Sequence, residues 1–323
     1  MTSDKAARAA PIYLYGMIVH STIHRLAGEY PEADSYREIA ETHQVPGGET
    51  GNSALVLAHW GHAVGVGGPF LGRKTREGVL SFLGPRGIDC SGLHYDPGFD
   101  GVCDLVLVGG KTRTVFGTFG AYFSGPKRWS APDPVAIASA EIVGVDPFFG
   151  AESDRVAEIC AEKGKRWVTI DCPPGSPLHR GAAATVVSGE YLRSQFPGED
   201  PREAMGRYAK AGPGLVIFTF GAAEILYARG SGAIRSLAPH KVEVKSTLGA
   251  GDTFRAGVIH GILSGRDDAG IVAFASATAA AVCMRFPMAL DPPGLAEVES
   301  LAEGRPSYAA LRARKGLWTP GGA

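Results

Sequence analysis

The chain has 323 residues, 45% of them hydrophobic, with Lys+Arg 32 against Asp+Glu 33 and a net charge of -1. That is enough apolar material for a large buried core, and it excludes a disordered chain, a basic nucleic-acid-coating surface and a basic membrane face. Five scattered cysteines without CxxC spacing exclude a disulfide-stapled scaffold and read as reduced thiols, while 45 glycines without a collagen-like period mark turns and close backbone approaches in a globular fold.

Met1–Ala10 is short and polar, with no apolar leader core, and no run approaches the roughly 18 apolar residues of a membrane span. A cytoplasmic protein with no membrane and no nucleic-acid partner is expected. Ile12–Tyr15 reads as a strand, and Val19 to Leu26 as a second extended segment. A helix over Asn52–Trp60, a strand at Val64–Val66 and a helix over Thr75–Leu83 follow. Asp104–Val108 and Thr112–Thr118 read as a hairpin turning at Gly109-Gly110. Strands at Ile142–Val145, Trp167–Ile170, Thr185–Val187 and Leu215–Thr219 alternate with helices over Glu152–Lys163 and Pro201–Lys210. Helices over Asp252–Leu263 and Asp267–Arg285 close the series. Near-continuous apolar strands alternating with helices predict a parallel sheet covered on both faces, with the extra antiparallel strands as a small flap at its edge.

Two glycine-rich segments carry the chemistry. Gly249-Ala250-Gly251-Asp252 leads into a helix whose Phe254, Val258 and Ile262 share one face. Small residues at a helix start leave N–H groups free, and these with the helix dipole favour an anion. The plainer reading is a tight turn with Asp252 as an N-cap. Gly47-Gly48-Glu49-Thr50-Gly51-Asn52 precedes another helix and would let a ligand approach the backbone; taken alone it reads first as a Gly-rich turn with Asn52 near the helix N-cap.

Other signals fail. Gly110-Lys111-Thr112 lacks the first P-loop glycine, because Leu105 holds that position. Gly65-Val66-Gly67 lacks the third glycine of a dinucleotide fingerprint. His20 and His24 would share a metal only on a helix, and their segment reads as extended. No Gly-x-Ser-x-Gly elbow occurs.

Taken together, the two glycine segments resemble the signature regions of the PfkB/ribokinase family of carbohydrate and nucleoside kinases. The resemblance spans roughly Ile12 to Ala302 and includes Gly87-Ile88-Asp89, Asp171, and Leu215 to Ala222. It implies a ribokinase-like three-layer α/β/α sandwich with a mostly parallel sheet. One domain would span 1–323, with a β-lid built from segments near 17–46 and 100–123. Asp252 then matches the catalytic base, and Gly249, Ala250 and Gly251 match the anion hole of phosphoryl transfer from ATP. Gly47, Gly48 and Asn52 match substrate-binding positions, with Asp146 and Arg113 as further substrate contacts. Ser188, Glu190, Thr219, Gly221 and Ser276 fall on the nucleotide side. ATP and Mg²⁺ are the implied cofactors, and a homodimer through the lid is one implied assembly.

The chain also departs from the family pattern. Ser21 stands where sugar-binding members often carry an aspartate. Ser246 replaces the aspartate that commonly helps bind a monovalent cation, which leaves K⁺ dependence open. The magnesium-linked motif survives only as Ser188-Gly189-Glu190, one position out of register. The expected activity is therefore phosphorylation of a sugar or sugar derivative. A nucleoside kinase is the alternative, with Phe116, Phe119, Tyr122 or Phe123 stacking on a base, and a catalytically silent metabolite-binding relative is the second.

Overall fold

The structure, a computed structural model, describes residues 12–304. Along the chain run β1 (Ile12–Tyr15), β2 (Val19–Leu26), β3 (Ile39–Gly47), α1 (Gly48–His59), β4 (Val64–Gly67), α2 (Arg76–Leu83), β5 (Ile88–Gly92), β6 (Cys103–Gly109), β7 (Thr112–Gly117), α3 (Phe119–Ser124), α4 (Pro134–Ser139) and β8 (Ile142–Val145). Then come α5 (Ala151–Glu162), β9 (Arg166–Ile170), α6 (Pro177–Arg180), β10 (Ala184–Ser188), α7 (Gly189–Gln195), α8 (Pro201–Ala211), β11 (Leu215–Thr219), β12 (Ile225–Arg229), β13 (Arg235–Leu237), α9 (Ala250–Leu263), α10 (Asp268–Cys283) and α11 (Leu295–Ala302).

The main sheet has the order β13-β12-β11-β10-β9-β8-β1-β4-β5. Neighbours from β5 to β11 are all parallel, and β12 and β13 add an antiparallel edge. Alternation along each strand makes the layers. Ile12 and Leu14 join one core with Leu55 of α1, Phe254 and Val258 of α9 and Ile271 of α10. Tyr13 and Tyr15 point the other way, into a core with Val156 and Ile159 of α5. Val216 and Phe218 extend that second face under α8, through Met205 and Tyr208. Apolar side chains on both faces bury the central strands β1 and β8 completely, as a parallel sheet favours.

A second, four-stranded sheet has the order β3-β2-β6-β7. Its hairpin turns one residue later than the sequence suggests. Gly109 still pairs with Thr112, so Gly110 and Lys111 form the turn, with Gly110 at φ 56°. β3 escapes a periodicity reading because most of it is polar and exposed. The two signature segments are also more helical than expected. α1 starts at Gly48 rather than Asn52, and α9 at Ala250 rather than Asp252. Each motif is thus the first turn of its helix, entered from a glycine in the left-handed region or at its edge: Gly48 at φ 81° and Gly249 at φ 77°. Where α9 crosses α10, a Cβ on Gly257 would lie 2.6 Å from the Ala275 Cα, so glycine sets how closely the helices approach. No described helix is long and apolar enough to cross a membrane.

One buried ion pair ties three elements together. Arg255 of α9 and Asp146, just past β8, are both 0% exposed and pair through Arg255 Nη1 and Asp146 Oδ1. The Arg255 Nη2 group also donates to the Glu49 carbonyl at 2.9 Å and to Ser53 Oγ at 3.1 Å, both on α1. Asp146 Oδ2 accepts from the Met17 N–H at 2.7 Å and from Thr50 Oγ1 at 3.0 Å. Gly16 leaves the room this carboxylate needs, since a Cβ there would fall 1.9 Å from Asp146 Oδ2. Removing one partner strands a buried charge, which costs about 3–5 kcal/mol, whereas an apolar pair of similar volume can be neutral or stabilising. We therefore expect Asp146→Ala to lose about 3–5 kcal/mol in urea unfolding, and the double variant Asp146→Leu/Arg255→Met to recover most of it. Equal losses in both variants would show that the contribution is packing and not the stranded charge.

Candidate functional site

The C-terminal ends of β9, β10 and β11 and one face of the small sheet enclose a cleft of about 510 Å³, a size typical of small-molecule sites. Period-two alternation supplies the sheet face, with Val19, Ser21 and Ile23 from β2, Val45 from β3, Asp104 and Val106 from β6, and Arg113 and Val115 from β7. The first turns of α1 and α9 bring Gly47, Gly48, Glu49, Asn52, Gly249, Gly251 and Asp252 to the cleft. Asp171, Ser188, Glu190 and Thr219 line its other end.

Asp252 sits where the two signature helices meet. Asn52 Nδ2 donates to Asp252 Oδ2 at 2.7 Å, and Ser53 Oγ donates to the Asp252 carbonyl at 2.8 Å. Burial pushes the Asp252 carboxyl up from the ordinary carboxylate range, while the Asn52 hydrogen bond and the Arg255 charge hold it down. The opening N–H groups of α9 have no intrahelical acceptors by position, which with the dipole makes this end attractive to an anion. Ala250 is the exception in the expected trio: its N–H donates to the Thr247 carbonyl at 3.3 Å, and the residue does not line the cleft. Ser246, in the position linked to a monovalent cation, is buried, and its hydroxyl accepts from the Leu248 N–H at 3.1 Å.

Most of the expected site residues converge here; besides Ala250, three do not. Asp146 is enclosed beneath the cleft with its oxygens taken by Arg255, Met17 and Thr50, so it positions α1 and α9 instead of touching a ligand. Ser276 is buried within α10 with its hydroxyl unpartnered, and it does not reach the cleft. Gly221 begins the turn after β11, at φ 64°, and also lies off the lining. Of the four candidate stacking aromatics, Phe119 and Phe123 line the cleft beside Phe148, Tyr122 is buried behind them, and Phe116 is 52% exposed.

Sequence reasoning missed several participants. Asp104 belongs to a strand that was read correctly, but its position beside Ser21 depends on the parallel β2–β6 pairing, which nothing local encodes. Asp171 was visible as a carboxylate ending a strand. It sits at φ 37° and accepts from the Ser188 N–H at 2.6 Å and from Ser188 Oγ at 3.0 Å, fixing the start of α7. Glu49 was visible as a charged residue inside a glycine motif. Burial, then the neighbouring Asp252 and Asp146, push its carboxyl well above the ordinary range.

Glu49 makes stability depend on pH. A raised folded-state pKa means that the folded protein holds a proton that the unfolded chain has lost. The stabilisation is therefore complete below the unfolded value, about 4.3, and is lost as pH rises through the folded value. Glu49→Gln should gain melting temperature over the parent as pH climbs from that range towards neutrality and beyond, with the gap levelling off at high pH. Parallel melting curves at pH 4, 6 and 8 check this, and a gap that shrinks with pH would contradict it.

Comparison with known proteins agrees with this architecture. A family model described as "pfkB family carbohydrate kinase" matches residues 187–289, which contain the whole Gly249–Asp252 segment. A 1-phosphofructokinase from Rhodobacter capsulatus is 29% identical over 259 residues, spanning 73% of this chain and 78% of that protein. Among solved structures, an Arabidopsis thaliana ribokinase complexed with ribose and ATP superposes with a TM-score of 0.75 at 18% identity, covering 91% of this chain and 99% of that one. A nucleoside kinase from Methanocaldococcus jannaschii superposes with a TM-score of 0.69 at 16% identity, covering 92% and 99%.

Proposed function

We propose that the chain is a carbohydrate kinase of the PfkB/ribokinase family and transfers the γ-phosphoryl group of ATP to a hydroxyl of a sugar or sugar derivative, with Asp252 as general base. The observation that carries this reading is the Asp252 carboxylate at the start of α9, with one oxygen held by Asn52 and the other left for a substrate proton.

The attacking hydroxyl gives its proton to Asp252 as its oxygen bonds to the γ-phosphorus and ADP leaves on the opposite side. Free N–H groups of Gly249 and Gly251 and the dipole of α9 stabilise charge on the phosphoryl oxygens in flight. The small sheet covers the acceptor and limits attack by water. Thr219, Ser188 and Glu190 meet the nucleotide. Among the described residues no three or more His, Cys, Asp or Glu side chains are arranged to hold a metal alone. Mg²⁺ would come with ATP, and the cleft-lining Glu190 and Asp171 are the carboxylates that could help hold it. When bound it neutralises charge on the β- and γ-phosphate oxygens.

A nucleoside acceptor is the second reading. The wall formed by Phe119, Phe123 and Phe148 supports it, because a base can stack there.

Asp252→Asn should keep the fold and the ATP affinity and lose about 10²–10⁴ in kcat. Wild-type turnover by that variant would overturn the assignment. Asn52 supplies a second check through the pH–rate profile. Its hydrogen bond holds the Asp252 carboxyl down, so Asn52→Ala should shift the acid limb of kcat/KM towards higher pH. A limb that stays in place or moves down would place the essential base elsewhere.

A further inference from the structure

The small sheet is held to the rest of the molecule along one edge and left free along the other. Its inner face carries Ser21, Ile23 and Arg25 on β2, and opposite them Val45, His43 and Glu41 on β3, because successive side chains alternate between faces. Ile23 and Val45 line the cleft. Beyond them the same face meets Phe286, which follows α10. The Arg25 guanidinium carbon stands 3.8 Å from the centre of the Phe286 ring, and the His43 ring meets it edge-on at 5.7 Å between centroids. Glu41 stands beside both. Its Oε2 accepts from His43 Nε2 at 3.1 Å, while its Oε1 lies 3.6 Å from Arg25 Nε, beyond hydrogen-bond reach. That Nε is shielded from solvent and has no acceptor, so the ring face and the nearby Glu41 charge are what hold this cation. Phe286 packs in turn on the main core, and the three residues after it, Pro287, Met288 and Ala289, all line the cleft. At the base of the sheet β2 is tied as well: His20 lies over Gly78 of α2, where a Cβ would fall 2.4 Å from His20 Nε2.

The opposite edge, β7, has no counterpart. All six of its residues are exposed, and Val115, which lines the cleft, is 45% exposed. Among the described residues its only side-chain hydrogen bond stays within the sheet, from Thr112 Oγ1 to the Gly109 carbonyl at 3.2 Å. We propose that Phe286 is a positioning residue: its ring pins the β2–β3 edge over the cleft, so that this flank stays shut and the acceptor enters and leaves beneath β7. Phe286 does not itself line the cleft, and the pin acts through Arg25 and His43. A seated sheet is the binding-competent state, so an acceptor's apparent affinity scales with the fraction of molecules in which the sheet is seated. Water enters wherever the sheet lifts, and it then competes with the acceptor for the phosphoryl group. The pin is a feature of the fold, and its catalytic consequence rests on the kinase reading above.

Hydrogen exchange on the full-length protein without ligand tests the pin directly. β3 and β7 are the two edges of one sheet, each paired to a single neighbour, so their ladder amides should exchange alike if neither is tied down. With the pin in place, the β3 amides should exchange about 10-fold or more slowly than those of β7. Phe286→Ala should remove most of that difference and leave exchange in the main sheet unchanged. Phe286→Tyr, which keeps a ring face, should preserve the difference, and Phe286→Leu, which keeps apolar bulk alone, should resemble the alanine variant. With Mg·ATP and no acceptor, Phe286→Ala should release ADP to water about 10-fold faster than the parent at an unchanged KM for ATP, and Phe286→Tyr should not. Parental β3 amides that exchange as fast as those of β7 overturn the proposal. So does a Phe286→Ala variant that folds, by its circular dichroism, yet keeps the parental β3 exchange. A loosened β3 with unchanged ADP release overturns the positioning role. A parent that releases no ADP with any sugar or nucleoside fails the kinase reading instead, and exchange, which involves no ATP, still decides the pin.

Discussion

The ion pair between Asp146 and Arg255 holds the site together because it leaves neither partner an alternative. Both groups are sealed from water, so each must find its counter-charge inside the protein, and the only geometry that satisfies both brings α9, α1 and the end of β8 to one point. Arg255 lies three residues after Asp252, on the same side of the same helix. Fixing the guanidinium therefore fixes the carboxylate one turn away, and Ser53 and Asn52 close the arrangement from α1. Such pairs are weak contributors to net stability. Here the pair contributes position.

The same enclosure sets the electrostatics. Carboxylates crowd the floor of the cleft, and burial raises Glu49 and Asp252 together. Two acids so close resist ionising together, so a proton kept on Glu49 favours the ionised form of Asp252. The base proposed at Asp252 needs a pKa high enough to take a proton and low enough to be free of one. Burial supplies the first condition, and Asn52 with Arg255 the second.

Much of the fold was legible because its signals are local. Alternating apolar strands and amphipathic helices announced the layered sheet, and two glycine motifs announced the two helix starts that meet at Asp252. What stayed hidden depends on pairing between distant segments. Asp146 reads as a polar residue closing a strand, and sequence cannot tell whether it looks into a cleft or beneath it. Arg255 is completely buried, and no local pattern around it marks that burial. Ser276 lies in an Ala-rich helix whose whole circumference is nearly buried, so no periodicity distinguishes a ligand-facing side. Asp104 acquires its meaning only from the strand beside it.

The hydrogen bond between Asn52 and Asp252 joins residues 200 positions apart. During synthesis at roughly 5–20 residues per second, α1 with its glycine motif waits about 10–40 s before its partner has been made. Through that interval the polar groups destined for Arg255 and Asp252 have only water for company, and the central strands can pair without a site between them. A chain that stopped before α9 would lack Asp252 and also two helices that cover the Ile12 and Leu14 face of the sheet, so the site and one layer of the fold are completed by the same segment.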